Sequence, residues 1–96
     1  MIMRLAIVRK KCHPKYFDLL MKGRKKFEMR IADFDIQEGD MLVLEEWDPE
    51  RRKHTGRSLI KKVGYLKKFT LKEIEEDFGQ PKELLEGHGF YILQLD

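Results

Sequence analysis

The segment 23–30, Gly-Arg-Lys-Lys-Phe-Glu-Met-Arg, brings an amine, a carboxylate and a guanidinium close together in the chain. If this segment is extended, Glu28 and Arg30 lie on one face, about 6–7 Å apart, and Lys25 can reach the same space. Lys25, Glu28 and Arg30 together suit binding of a phosphate and a nucleobase edge. Lys25 and Glu28 also suit proton transfer as a catalytic acid/base pair. A structural salt-bridge ladder is the third interpretation.

A second candidate group contains the only tryptophan, Trp47, and an arginine in the next predicted strand, Arg57. Trp47 lies where a predicted strand meets a basic loop. An indole beside arginines can stack a base. We therefore expect Trp47 and Arg57 at the edge of the ligand cleft, with a cap on the hydrophobic core as the alternative role of Trp47.

Other kinds of chemistry find little support in the sequence. His13, His54 and His88 have no spacing typical of a zinc site, so we expect no metal and no cofactor. Ser58 is the only serine and lacks the context of a nucleophile elbow. Cys12 is the only cysteine, and a lone thiol usually packs as a small hydrophobic group.

The charged residues are arranged in four blocks of alternating sign. Residues 1–34 carry 10 basic and 3 acidic residues, and residues 35–50 carry 7 acidic and no basic ones. Residues 51–72 carry 9 basic and no acidic residues, and residues 73–96 carry 1 basic and 7 acidic ones. The two basic blocks can form one patch that attracts polyanions, or they can pair with the acidic blocks across the fold.

The composition excludes several classes of protein. In 96 residues, 42% hydrophobic residues are too many for a disordered tail. No apolar run reaches the 18 or so residues of a membrane span, so we expect a cytoplasmic protein with no membrane partner. The absence of Asn, together with abundant Lys and Glu, is a weak indication of a thermophilic source.

The elements that must position these residues follow from the apolar spacing. Strands are predicted over 4–10, 25–31, 41–47, 55–66 and 90–95. Helices are predicted over 14–22 and after a capping box of Thr70 and Glu73, with a further helical turn at Pro81. Five strands and two or three short helices favour a closed sheet. We predict one α+β domain over residues 1–96, a mostly antiparallel pseudo-barrel with the helices at its rim.

The pattern Gly23-x-Lys25-x-x-Glu28-x-Arg30, followed by Gly39-Asp40, resembles the signature of ASCH domains of the PUA-like superfamily. The chain also contains three further motifs of a small branch of that family: Pro14-Lys15-Tyr16-Phe17, Glu46-Trp47-Asp48-Pro49 and Thr55-Gly56-Arg57. The resemblance implies a five- or six-stranded pseudo-barrel with a cleft lined by residues 25–30.

The resemblance also implies a function, since ASCH domains are generally thought to bind RNA or modified nucleobases. Some relatives hydrolyse acylated cytidine with a threonine, a lysine and a glutamate. Lys25 matches that lysine, but Glu28 stands in the place of the threonine. We therefore expect an RNA- or nucleotide-binding module whose site comprises Lys25, Glu28, Arg30, Trp47 and Arg57. A small hydrolase using Lys25 and Glu28, and a protein-interaction module, are the alternatives.

Overall fold

The computed structural model describes residues 5–78 together with 83, 86 and 87. The elements are β1 (Ile7–Cys12), α1 (Pro14–Met21), β2 (Met41–Asp48), β3 (Lys53–Lys62) and α2 (Leu71–Phe78). The chain divides into two compact units, Met1–Leu66 and Lys67–Asp96. The sheet and α1 belong to the first unit, and α2 belongs to the second. A single domain over the whole chain stays a prediction.

In the part of the chain that the structure describes, the sheet has three strands in the order β1-β2-β3. β1 runs parallel to β2, and β2 runs antiparallel to β3. Within the described residues the sheet is therefore open and mixed, and the predicted pseudo-barrel is wrong. The strand expected over 90–95 and the helical turn expected at Pro81 lie outside the described residues.

The segment predicted as a second strand shows why the sheet does not close as expected. Residues 24–31 form neither helix nor strand. The alternating apolar side chains Phe27, Met29 and Ile31 are 40%, 62% and 84% exposed, so they bury no common face. Arg30 instead donates a hydrogen bond from Nη2 to the carbonyl of Lys11 in β1, at 2.8 Å. The Arg30 side chain, not a backbone ladder, therefore joins this segment to β1.

The helix predicted over 14–22 is confirmed, and it packs on the sheet. Phe17 and Leu20 lie three residues apart on one face of α1, and both are buried. Together with residues of β1 and β2 they form the hydrophobic core, which contains Cys12, Phe17, Leu20, Leu42 and Leu44. Phe17 and Leu44 are completely buried. The core therefore lies between α1 and one face of the sheet.

The turn before β2 is held by the buried carboxylate of Asp40. Gly39 has a φ of 94°, a conformation in the left-handed region that favours glycine. Asp40 Oδ1 accepts a hydrogen bond from the Ala6 N–H at 3.2 Å, and Oδ2 accepts one from the Gln37 N–H at 2.8 Å. Its backbone carbonyl accepts the Val63 N–H at 2.8 Å. Asp40 thus joins the segments that precede β1 and β2 to the one that follows β3.

The second unit is described only as far as α2 and three later residues. Thr70 Oγ1 accepts a hydrogen bond from the Glu73 N–H at 3.1 Å, which confirms Thr70 as the predicted N-cap. Among the described residues, no helix is long and apolar enough to cross a membrane.

We predict that Asp40→Asn destabilises the fold. The substitution keeps the shape of the side chain but turns one acceptor oxygen into a donor, which leaves a backbone N–H unpaired. The free energy of unfolding should fall by about 1–3 kcal/mol, as measured by urea denaturation. The exposed Glu38→Gln is the control, and an Asp40→Asn midpoint equal to that of the wild type would contradict this role.

Candidate functional site

A cleft of about 200 Å³ lies at the end of β1 and the start of α1. The residues that line it are Lys11, Cys12, His13, Tyr16, Lys25, Glu28 and Arg30. Three of the predicted site residues, Lys25, Glu28 and Arg30, are thus together in one cleft. Trp47 and Arg57 are not among the residues that line it.

The end of α1 brings Lys25 back towards the first turn of the same helix. Gly23 has a φ of 71° and donates its N–H to the Leu20 carbonyl at 3.1 Å, as expected of a helix C-cap glycine. The Lys25 N–H bonds to the Leu19 carbonyl at 3.1 Å. The Lys25 ammonium then lies 5.1 Å from the centre of the Tyr16 ring. The glycine turn therefore directs the lysine into the cleft.

Glu28 links the two cations of the cleft. Lys25 Nζ donates to Glu28 Oε1 at 2.6 Å, and Arg30 Nε donates to Glu28 Oε2 at 3.0 Å. The side chains of Lys25, Glu28 and Arg30 are 17%, 19% and 30% exposed. All three are thus partly withdrawn from water but still open to a ligand. Since Arg30 also holds the Lys11 carbonyl, the whole group is anchored to β1.

The cleft carries more positive than negative charge. Lys25 and Arg30 are cationic, and among the described residues of the lining Glu28 is the one carboxylate. His13 is the N-cap of α1, and Tyr16 lies in its first turn, which has no acidic residue. The partial positive charge at a helix N-terminus also favours an anion. The electrostatics of the cleft therefore suit a small anionic group.

Cys12 lies in the wall of the cleft as a thiol. It is 4% exposed and belongs to the hydrophobic core. Burial raises the pKa of the Cys12 thiol, and the charge of Glu28 raises it further. The thiol consequently stays protonated near neutral pH and makes a poor nucleophile. Among the described residues, no group of His, Cys, Asp and Glu side chains could hold a metal ion.

Arg57 takes part in a separate ion-pair cluster at the buried carboxylate of Glu46. Arg57 Nε donates to Glu46 Oε1 at 3.0 Å, and Nη2 donates to Oε2 at 2.7 Å. Thr55 Oγ1 donates to the same Oε1 at 2.5 Å. Arg57 also contacts Asp18 of α1 at 3.1 Å and lies 4.9 Å from the Phe17 ring centre. Arg57 thus fastens α1 to β2 and β3.

The cluster strongly favours the ionised form of Glu46. Hydrogen bonds from Arg57 and Thr55 lower the pKa of Glu46 below its ordinary value of 4.5, against the opposing effect of burial. The hydrogen bonds to Glu46 and Asp18 likewise raise the pKa of Arg57. These contacts use the Nε and Nη2 donors of the Arg57 guanidinium, so this arginine stabilises the fold.

Trp47 is half-buried and its ring is covered by a cation. The Lys11 ammonium lies 3.7 Å from the centre of the indole ring. The His54 ring meets the indole edge to face, with centroids 5.0 Å apart. Trp47 therefore neither belongs to the core cluster nor lines the cleft, and it contacts the cleft through Lys11.

Reasoning from the sequence missed Lys11 and Tyr16 as members of the site. Lys11 lies near the end of β1, and Tyr16 is 47% exposed in the first turn of α1. Pro14 at the first position of α1 indicates a helix start, and that start brings Tyr16 next to the end of β1. A signal for Tyr16 was present in the sequence, because it lies within the motif Pro14-Lys15-Tyr16-Phe17.

We predict that Glu46→Gln destabilises the protein in a pH-dependent way. Because the pKa of Glu46 is lowered by folding, its contribution to stability is fully present above about pH 4.5 and is lost as the pH falls through the lowered value. The wild type should exceed the variant in unfolding free energy at pH 7, and the difference should shrink towards pH 3, as measured by urea denaturation. The exposed Glu50→Gln is the control; a difference that does not depend on pH would contradict the ion-pair role.

Comparison with known proteins shows the family to which this chain belongs. A stretch of 37 residues is 49% identical to the "Uncharacterized 12.9 kDa protein in GpA 3'region" of Escherichia phage P2. The match covers 38% of this chain and 34% of the phage protein, about a third of that relative's length. The model of the family described as Domain of unknown function (DUF3850) matches residues 9–79, which include most of β1, the cleft and the Glu46 cluster. The chain therefore belongs to the DUF3850 family.

Proposed function

We propose that this chain binds nucleotides, free or within single-stranded RNA, and that Lys25 and Arg30 hold a phosphate in the cleft. The main support is the arrangement in which Glu28 places an ammonium and a guanidinium side by side. Each cation has more N–H groups than Glu28 uses, so both can donate to a phosphate without leaving the carboxylate. A ligand therefore meets donors that are already oriented.

The surroundings of these cations support the same ligand class. Tyr16 offers a half-exposed aromatic ring beside Lys25, and aromatic side chains commonly stack unpaired bases. The helix start adds positive charge for the phosphate. The resemblance of Gly23-x-Lys25-x-x-Glu28-x-Arg30 to the ASCH signature points the same way.

We predict that Lys25→Ala/Arg30→Ala weakens binding of labelled single-stranded RNA by about tenfold or more, because the variant lacks two oriented phosphate donors. Fluorescence anisotropy measures the affinity. With about three phosphate contacts, affinity of the wild type should also fall on the order of tenfold between about 50 and 200 mM salt.

The matched control for this test is Arg24→Ala/Lys26→Ala. It removes the same two residue types from the same segment, but both side chains are exposed and neither lines the cleft. An equal loss of affinity in both double variants would mean that the protein attracts polyanions generally and that Lys25 and Arg30 have no specific role in binding. No binding of RNA or of uridine monophosphate by the wild type would refute the proposed function.

A small hydrolase acting on modified nucleosides or RNA is the second candidate. The observation in its favour is the 2.6 Å contact between Lys25 Nζ and Glu28 Oε1, since both side chains are about four-fifths buried. Such a pair can pass a proton to or from a water molecule beside a bound ligand. Glu28 or Lys25 would then act as acid or base on a substrate held by Arg30.

If the chain is a hydrolase, we expect it to release product from members of a panel of acylated nucleosides and short RNAs. Chromatography measures the release. Glu28→Gln should abolish release, because the amide cannot take up a proton, while the exposed Glu38→Gln should leave it unchanged. An absence of product across the panel at high protein concentration would exclude this chemistry for those substrates.

A further inference from the structure

We propose that the molecule bound in the cleft is a single-stranded nucleic acid longer than one nucleotide. Its neighbouring phosphates would lie on a flanking surface made of Lys11, Trp47, His54 and residues 51–53, which end the turn after β2 and begin β3. This inference rests on the proposed function of the cleft and adds the size of the ligand and the path that it follows.

The topology of the sheet places this surface next to the cleft. Because β1 and β2 are parallel, their carboxyl ends lie at the same edge, and β3 begins there. Lys11 near the end of β1 is opposite Glu45, while Trp47 near the end of β2 is opposite His54. Neighbouring strands are only about 4.8 Å apart. The cleft and the turn between β2 and β3 therefore share one edge of the sheet.

Direct contacts connect the cleft to this surface. Lys11 lines the cleft, where its carbonyl accepts the Arg30 guanidinium, and its ammonium lies 3.7 Å from the centre of the Trp47 ring. Trp47 in turn contacts His54, which is exposed. Trp47 is thus a positioning residue, because its ring holds the Lys11 ammonium and also contacts His54. The charge of Lys11 can therefore attract a phosphate just outside the cleft.

The turn between β2 and β3 presents three further cations in a fixed backbone. Asp48 Oδ1 accepts the Glu50 and Arg51 N–H groups at 2.9 and 3.2 Å, so this carboxylate is engaged in the turn. Arg52 has a φ of 54°, in the left-handed region that non-glycine residues seldom adopt. Arg51, Arg52 and Lys53 are all exposed. The turn consequently projects basic side chains into solvent.

The size of the cleft favours an extended ligand over a large compact one. A volume of about 200 Å³ is below the 300–1,000 Å³ typical of drug-sized ligands. A cleft below that range can hold a small part of a ligand, such as a phosphate with part of one nucleotide, whereas Lys11 and residues 51–53 supply cations for phosphates beyond it. A single strand can place one unit in the cleft and its neighbours along the flanking surface, because its bases are unpaired and its backbone is flexible.

The test compares uridine monophosphate with labelled hexauridylate, using wild type and Arg51→Gln/Lys53→Gln. We expect hexauridylate to bind the wild type at least about tenfold more tightly than the monophosphate. The double variant should show little of that advantage, and its affinity for the monophosphate should not change. The logarithmic slope of affinity against salt should also become shallower, by about 0.7 for each phosphate that the variant no longer neutralises.

The matched control is Lys61→Gln/Lys62→Gln, which removes two exposed cations at the other end of the same strand. Equal affinity of hexauridylate for the turn variant and this control would overturn the inference, as would equal affinity of the wild type for both probes. Tighter binding of an RNA duplex than of a single strand of equal length would also overturn it. Undiminished binding of both probes by Lys25→Ala/Arg30→Ala would instead refute the proposed function of the cleft.

Discussion

The parallel pairing of β1 with β2 is the constraint on which the rest of the described structure depends. Two parallel neighbours cannot be joined by a tight turn, so the chain must cross from one end of the sheet to the other. The connection from His13 to Asp40 makes this crossover and contains α1 and the segment 24–31. It returns Lys25, Glu28 and Arg30 to the end of β1, where the cleft forms. A hairpin between the same strands would leave no chain to build a site.

Two glutamates with similar partners have different roles because they differ in burial. Glu46 is 4% exposed at its side chain and is bound by Arg57 and Thr55, which joins α1 to β2 and β3. Glu28 is 19% exposed and binds Lys25 and Arg30 at the rim of a cleft. A buried carboxylate needs all its partners to offset its desolvation. A carboxylate at a cleft can orient cations that still have donors for a ligand, and this difference is the reason for proposing a ligand site at Glu28.

Membership in the DUF3850 family gives this geometry a wider setting, because the family match covers residues 9–79. That range includes the cleft, the Glu46 cluster and the turn between β2 and β3. The phage P2 relative shares 37 aligned residues at 49% identity. The family match thus covers both the ion pairs of the Glu46 cluster and the cleft. The match by itself does not distinguish these two groups, whereas burial and contacts in the structure do.

Local sequence signals determined the parts of this protein that depend on neighbouring residues. Pro14 and Gly23 predict the start and end of α1, Gly39 and Asp40 predict a turn, and Thr70 predicts a helix N-cap, because each effect acts within a few residues. The close placement of Lys25, Glu28 and Arg30 was also expected from their spacing.

Tertiary structure decided how these parts are used. The alternation over 25–31 is typical of a strand, yet the segment forms none, because sequence spacing does not supply a backbone ladder, and Arg30 reaches β1 through its side chain instead. An arginine at position 57 could bind either a ligand or other residues of the protein. In the structure Arg57 binds Glu46 and Asp18, so it stabilises the fold. Trp47 contacts Lys11 only because β1 and β2 are neighbours. Contacts between residues far apart in the chain depend on strand pairing and burial, which only the folded structure determines.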